Sequence, residues 1–156
     1  AKKIFLPQVM LSAEAMREAF IKIKERIPAD SVSNKGTIVI ATVKGDIHDL
    51  GKNIVSALLE NNGFKVIDLG KDIDKEDIIK AAIDNKADMI GLCSLMTTTI
   101  TQIDEIIAEL NKSDYSTKVM IGGAVVTQEY ADNVGADAYA PDGVEAVEIA
   151  KKLINK

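Results

Sequence analysis

From residue 37 onward the sequence switches period again and again. Short runs of β-branched and other apolar residues give way each time to longer stretches with helical spacing. Thr37–Val43 (TIVIATV) predicts a buried strand, and Gly51–Asn62, apolar at Ile54, Leu58 and Leu59, predicts a helix that stops at Gly63. Lys65–Leu69 predicts a second strand and Lys75–Asn85 a second helix, with Ile78, Ile79, Ala82 and Ile83 on one face. Met89–Leu92 and a helix from about Ile100 to Leu110 follow. Lys118–Ile121 then runs into Gly122-Gly123 and a helix from about Thr127 to Val134, and Ala138–Ala140 precedes a last helix over Val144–Asn155. Five such units with short connections imply an α/β fold: a five-stranded parallel, doubly wound sheet of the flavodoxin-like or Rossmann-like kind, with helices on both faces. Ligands of such sheets bind beyond the carboxyl ends of the strands, so the candidate site is built from loops 44–51, 70–74, 93–99, 122–127 and 141–143.

The first 36 residues follow a different pattern. Ala13, Met16, Phe20, Ile23 and Ile27 make the apolar stripe of one helix, and Ser31–Gly36 makes a linker. The division expected is therefore 1–36, the last helix of a truncated helical subdomain plus linker, and 37–156, the α/β domain. A helix packed on the edge of the sheet accounts for the stripe as well. The chain opens on Ala1 rather than Met, and no charged-then-apolar leader precedes the domain, so a cytoplasmic setting is expected. The longest unbroken apolar run, Val119–Val126, is too short for a membrane span. With 19 Lys and Arg against 24 Asp and Glu, the net charge of −5 argues against nucleic acid or an anionic membrane as the main partner.

One Cys (Cys93) and one His (His48) cannot make a disulfide or a tetrahedral Cys/His zinc site. His48 lies in the loop Gly45-Asp46-Ile47-His48-Asp49-Leu50-Gly51, and an extended backbone would bring Asp46 beside its imidazole. A carboxylate on one ring nitrogen fixes the tautomer and makes the other nitrogen a better ligand or base. A single loop histidine is otherwise a surface hydrogen-bonder, a general base, or the axial ligand of a metal already held in a macrocycle. A Ser-His-Asp hydrolase would need a Gly-x-Ser-x-Gly elbow, and a dinucleotide site Gly-x-Gly-x-x-Gly; neither is present. A phospho-receiver would need an acidic residue where Cys93 sits and a Lys where Pro141 sits. The small residues after strands three and four leave a slot, and Thr97-Thr98-Thr99 offers hydroxyls or helix caps.

Together these residues resemble the cobalamin-binding domains, whose pattern is Asp-x-His-x-x-Gly, then Ser-x-Leu, then Gly-Gly. Here Asp46, His48 and Gly51 are followed by 41 residues (52–92), then Cys93-Ser94-Leu95, then 26 residues (96–121), then Gly122-Gly123. The resemblance covers about 37–156 and departs at Cys93, where the family has Ser. A thiol there weakens a hydrogen bond to the cofactor's tail.

The resemblance implies cobalamin or a related corrinoid, with its cobalt, as cofactor. Its lower base swings away, its tail enters the slot by Cys93, Leu95 and Gly122-Gly123, and His48 takes the vacated axial position as the metal ligand. Gly45, Asp46, Ile47, His48, Asp49, Leu50, Gly51, Thr97, Thr98, Thr99, Ala124 and Asp142 complete the expected cofactor contacts. Asp46 and Thr99 would act with His48 as a hydrogen-bonded relay whose proton content tracks how strongly the imidazole donates to cobalt. Phe5-Leu6-Pro7 through Met16 resembles the end of the helical cap of methionine synthases and of small corrinoid proteins of methyltransferase systems. Thr97-Thr98-Thr99 and Gly122–Thr127 look most like the latter. The function implied is a methyl carrier without independent activity. Its partners would be a methyl-donor-specific methyltransferase, a second methyltransferase acting on a pterin or thiol acceptor, and a reductive reactivation protein. A fragment of a methionine synthase, the small subunit of an adenosylcobalamin-dependent mutase and a cobalamin sensor are the other readings the resemblance admits.

Overall fold

The computed structural model describes residues 35–154 and, before them, helical positions at Leu11, Ser12, Ala15, Glu18, Ala19 and Lys22. The apolar stripe Ala13–Ile27 and the linker Ser31–Gly36 fall, in whole or large part, outside the described residues. The chain divides into two compact units, Ala1–Ser31 and Val32–Lys156. The second unit holds the sheet and all its helices.

The order of elements is β1 (Thr37–Thr42), α1 (Leu50–Asn61), β2 (Lys65–Asp68), α2 (Lys75–Asp84), β3 (Met89–Cys93), α3 (Thr101–Leu110), β4 (Lys118–Gly122), α4 (Gln128–Val134), β5 (Ala138–Ala140) and α5 (Gly143–Ile154). The sheet is wholly parallel, in the order β2-β1-β3-β4-β5. The step from β1 to β2 runs one way across the sheet and every later step runs the other. With a constant crossover hand, helices from opposite steps fall on opposite faces.

The core is divided accordingly. Val39, Ala41, Ile90, Leu92, Val119 and Ile121 point toward α2, α3 and α4, packing on Ile78, Ile103, Ile106 and Ala131. Ile38, Met89, Met120 and Ala140 point the other way, onto Leu59 of α1 and Ala146, Val147, Ala150 and Ile154 of α5. All six residues of β1 are buried, as a central strand covered on both faces requires.

Boundaries shift by one residue in most elements, and two of the shifts matter. β3 and β4 run one position beyond expectation, so Cys93 and Gly122 are paired strand residues rather than loop residues. Parity then decides where they face: they continue the rows Met89-Gly91-Cys93 and Met120-Gly122, toward α1 and α5. The strand order reverses between β1 and β3, where the two following loops diverge to opposite faces and leave a crevice at the carboxyl edge.

Candidate functional site

The loop after β1 is shaped by Asp46, a fully buried carboxylate. Its Oδ1 accepts the backbone N–H of His48 at 3.0 Å, an Asx turn, and lies 2.7 Å from His48 Nδ1. The expected meeting of the two side chains therefore occurs, but through a turn rather than an extended strand. Its Oδ2 accepts the Leu95 N–H at 2.6 Å and the Thr99 hydroxyl at 3.2 Å. Ser94 Oγ stands 2.9 Å behind Thr99 Oγ1, and both hydroxyls are buried. Burial alone would raise the Asp46 pKa. The N–H groups of Leu95 and His48, with the His48 ring and the Thr99 hydroxyl, outweigh it and hold the carboxyl below its ordinary value. An ionised carboxylate only accepts, so Nδ1 carries the proton and Nε2 keeps its lone pair on a ring whose side chain is 48% exposed.

Three further bonds pin the loop. Thr42, the last residue of β1, donates its hydroxyl to the His48 carbonyl at 3.2 Å. Asp72 accepts the Gly45 N–H at 2.8 Å, and the Asp72 N–H donates to the Asp46 carbonyl.

Beside His48 opens a crevice of about 820 Å³ between the sheet and the helices α1 and α5. Gly123 can only be glycine: its φ is +126°, and an added Cβ would stand 1.9 Å from the Ser94 carbonyl oxygen. At Gly122 a Cβ would meet the Ala140 carbonyl at 2.9 Å, so this edge stays free of side chains. Four of the exposed large apolar side chains, Ile47, Leu50, Leu95 and Val144, lie on the loops and helix starts around the carboxyl edge, and the first three line the crevice. The slot pushes the Cys93 thiol up to about 12, desolvation outweighing the nearby positive charge of Lys52.

Of the residues expected at the site, Ile47, His48, Asp49, Leu50, Gly51, Cys93, Leu95, Gly122, Gly123, Ala124 and Asp142 line the crevice. Asp46 and Thr99 lie behind it, in the network that holds His48. Gly45, Thr97 and Thr98 lie on turns and are not among the lining residues. Asp142 also accepts the N–H groups of Val144 and Glu145, capping α5. Sequence reasoning missed Ser94, Thr42, Lys52, Ile40 and Gly91. Strand parity would have found Ile40 and Gly91, two positions before Thr42 and Cys93 on the same rows. Nothing in one sequence marks Lys52, which is buried on the slot wall with its Nζ 2.5 Å from Asp68.

A corrinoid asks for one axial donor, an apolar seat for a wide ring and a slot for its tail. Nε2 of His48, the apolar rim and the glycine-edged crevice meet those needs, and the volume lies in the range of small-molecule sites. Residues 36–150 match the B12 binding domain family.

The chain belongs to the B12-binding domain family.

Within it, the chain is 46% identical over 155 residues to dimethylamine corrinoid protein 3 of Methanosarcina mazei, covering 97% of this chain and 93% of that protein. The monomethylamine corrinoid protein of Methanosarcina barkeri has a similar structure, with a TM-score of 0.78 and 34% identity over 97% of this chain and 73% of that one. The methanol:cobalamin methyltransferase complex from Methanosarcina barkeri matches with a TM-score of 0.76 and 37% identity. There this B12-binding chain spans 97% of its own length and 58% of the matched chain. No helix among the described residues is long and apolar enough to cross a membrane.

Proposed function

We propose that this protein is a cytoplasmic corrinoid protein that carries a methyl group between two methyltransferases, with His48 Nε2 as its single protein ligand to cobalt. When bound, the corrinoid supplies a cobalt that accepts a methyl group and gives it up again. The chain's residues supply the setting. Leu95, Ile47 and Leu50 seat the ring against an apolar rim, and the Gly122-Gly123 edge admits the tail beside Cys93. Asp46 holds the Nδ1 proton, and Thr99, backed by Ser94, holds Asp46. A proton gained by this network leaves the imidazole a poorer donor, and a proton lost makes it a better one.

The observation that carries the reading is the 2.7 Å pairing of Nδ1 with a buried carboxylate, which leaves Nε2 uncommitted beside a slot without side chains on its edge. The methyl donor proposed is a methylated amine, the class that the name of the 46% identical relative carries. The acceptor would be a pterin or thiol served by a second methyltransferase, with a reductive reactivation protein restoring cobalt that has become oxidised.

Hydroxocobalamin added to the purified chain tests this. The visible spectrum should shift to that of a histidine-ligated, base-off corrinoid, and mass spectrometry should find the corrinoid retained. In His48→Gly the bound spectrum should differ. A spectrum unchanged by that substitution defeats the assignment of His48.

A further inference from the structure

The inner wall of the slot offers a ligand almost nothing polar. From the sheet it is formed by Ile40, Gly91, Met120 and Ala140, and from the helices by Val55 and Ala146. The Lys52 and Asp142 side chains nearby are committed. Lys52 Nζ lies 2.5 Å from both oxygens of Asp68 and 2.8 Å from Asn53 Oδ1, and Ser56 donates to the same carboxylate. The Asp142 carboxylate caps α5. Two strand carbonyls at the edge are taken as well, Cys93 O by the Val43 N–H and Gly122 O by the Ser94 N–H. On the strand rows that face α1 and α5, the polar side chain at the slot is the Cys93 thiol, a weak hydrogen-bonding group.

The hydroxyl that the family pattern places at position 93 stands one residue later here, at Ser94. One residue along an extended chain turns a side chain to the other side. Ser94 lines the crevice, but its hydroxyl is spent on Thr99, 2.9 Å away behind the loop. The polar function has moved from the tail's seat to the network behind His48.

Resting on the reading of this slot as the seat of the corrinoid tail, we infer that the chain selects corrinoids by the polarity of the tail base, with Cys93 as the specificity-determining residue. A substituted benzimidazole, with a mostly hydrocarbon edge and one free ring nitrogen, is preferred to a purine. A purine brings an exocyclic amine and extra ring nitrogens against the apolar side chains of Ile40, Met120, Val55 and Ala146, and each unmatched polar group weakens binding.

The test is equilibrium ultrafiltration of the full chain with three corrinoids that carry dimethylbenzimidazole, adenine or cresol tails, read by visible absorbance. The wild-type chain should bind the benzimidazole form at least about tenfold more tightly than the adenine form, about 1.4 kcal/mol. Adenine is the weaker ligand of its own cobalt, so the cost of freeing the base works against this order and cannot create it. Cys93→Ser restores a hydroxyl and should tighten the benzimidazole form about threefold or more, while leaving the nitrogen-free cresol form within about twofold. Comparing variant with wild type for each corrinoid cancels the cost of freeing the base. Equal wild-type affinities for the benzimidazole and adenine forms, or tighter binding of adenine, overturn the selectivity even if Cys93→Ser does not fold. A Cys93→Ser response that is the same for all three tails overturns the role of Cys93. Failure of all three to bind overturns the corrinoid reading itself.

Discussion

The Thr99 hydroxyl reaches across 53 positions of sequence to donate to Asp46 Oδ2 at 3.2 Å. Removing it leaves a buried carboxylate one donor short and Ser94 without its hydroxyl neighbour. Thr99→Val should therefore lower stability by about 1 kcal/mol, or roughly 2–4 °C in Tm for a chain of this size. Thr99→Ser should stay near wild type. Thermal unfolding of the two corrinoid-free variants checks this, and equal melting points would show that the hydroxyl contributes nothing.

The depressed Asp46 pKa has a definite sign for stability. A carboxyl held below its ordinary value of 3.8 binds fewer protons folded than unfolded in that range. Its contribution is full above the ordinary value and is lost as pH falls through it toward the folded value. Denaturant unfolding between pH 6 and pH 3 should show the wild type losing stability on the acid side. Asp46→Asn should start lower and lose less over the same range.

Lys52 is almost fully buried against Asp68, whose side chain is 23% exposed. Taking away one partner strands the other's charge, so Lys52→Met should cost about 3 kcal/mol, at the lower end for buried pairs because Asp68 keeps some water. Adding Asp68→Asn to Lys52→Met should recover part of the loss. Urea unfolding of the single and double variants measures the coupling, and strictly additive effects would speak against a stabilising pair.

Gly123→Ala combines a backbone conformation hostile to side chains with a Cβ 1.9 Å from the Ser94 carbonyl. The conformational strain alone is about 1–3 kcal/mol, and the forced shift of Ser94 would disturb the Thr99 network. Lower Tm and poor retention of hydroxocobalamin on gel filtration are expected. Gly51→Ala, where an added Cβ meets no protein atom within 4 Å, is the control for stability and should keep the Tm.

With its thiol pushed to about 12, Cys93 should react with a maleimide or an aromatic disulfide at pH 8 about a thousandfold more slowly in the folded chain than in denaturant, where an ordinary thiol titrates near 9. Bound hydroxocobalamin should slow the reaction further if the tail occupies the slot. A folded-state rate equal to the denatured one would show the thiol to be open to water.

Most of the architecture was legible without coordinates, because alternation between periods of two and 3.6 is a local property of the chain. The strand-helix order, the parallel sheet and the loops at its carboxyl edge all follow from it. Asp46 and His48 could be paired from their spacing, since an Asx turn needs only neighbours. Cys93, Leu95 and Gly122-Gly123 could be gathered because a parallel sheet brings strand ends together.

Tertiary structure decided what depends on register and facing. One extra residue in β3 turned Cys93 toward the slot and the Ser94 hydroxyl toward Thr99, a choice of parity that no composition or motif contains. The pairing of Lys52 with Asp68 needed the first helix laid over the end of the second strand, across 16 positions. Local periodicity specifies which elements form, whereas the partners of a buried charge or hydroxyl are set by packing between elements distant in sequence, which a single chain of letters leaves open.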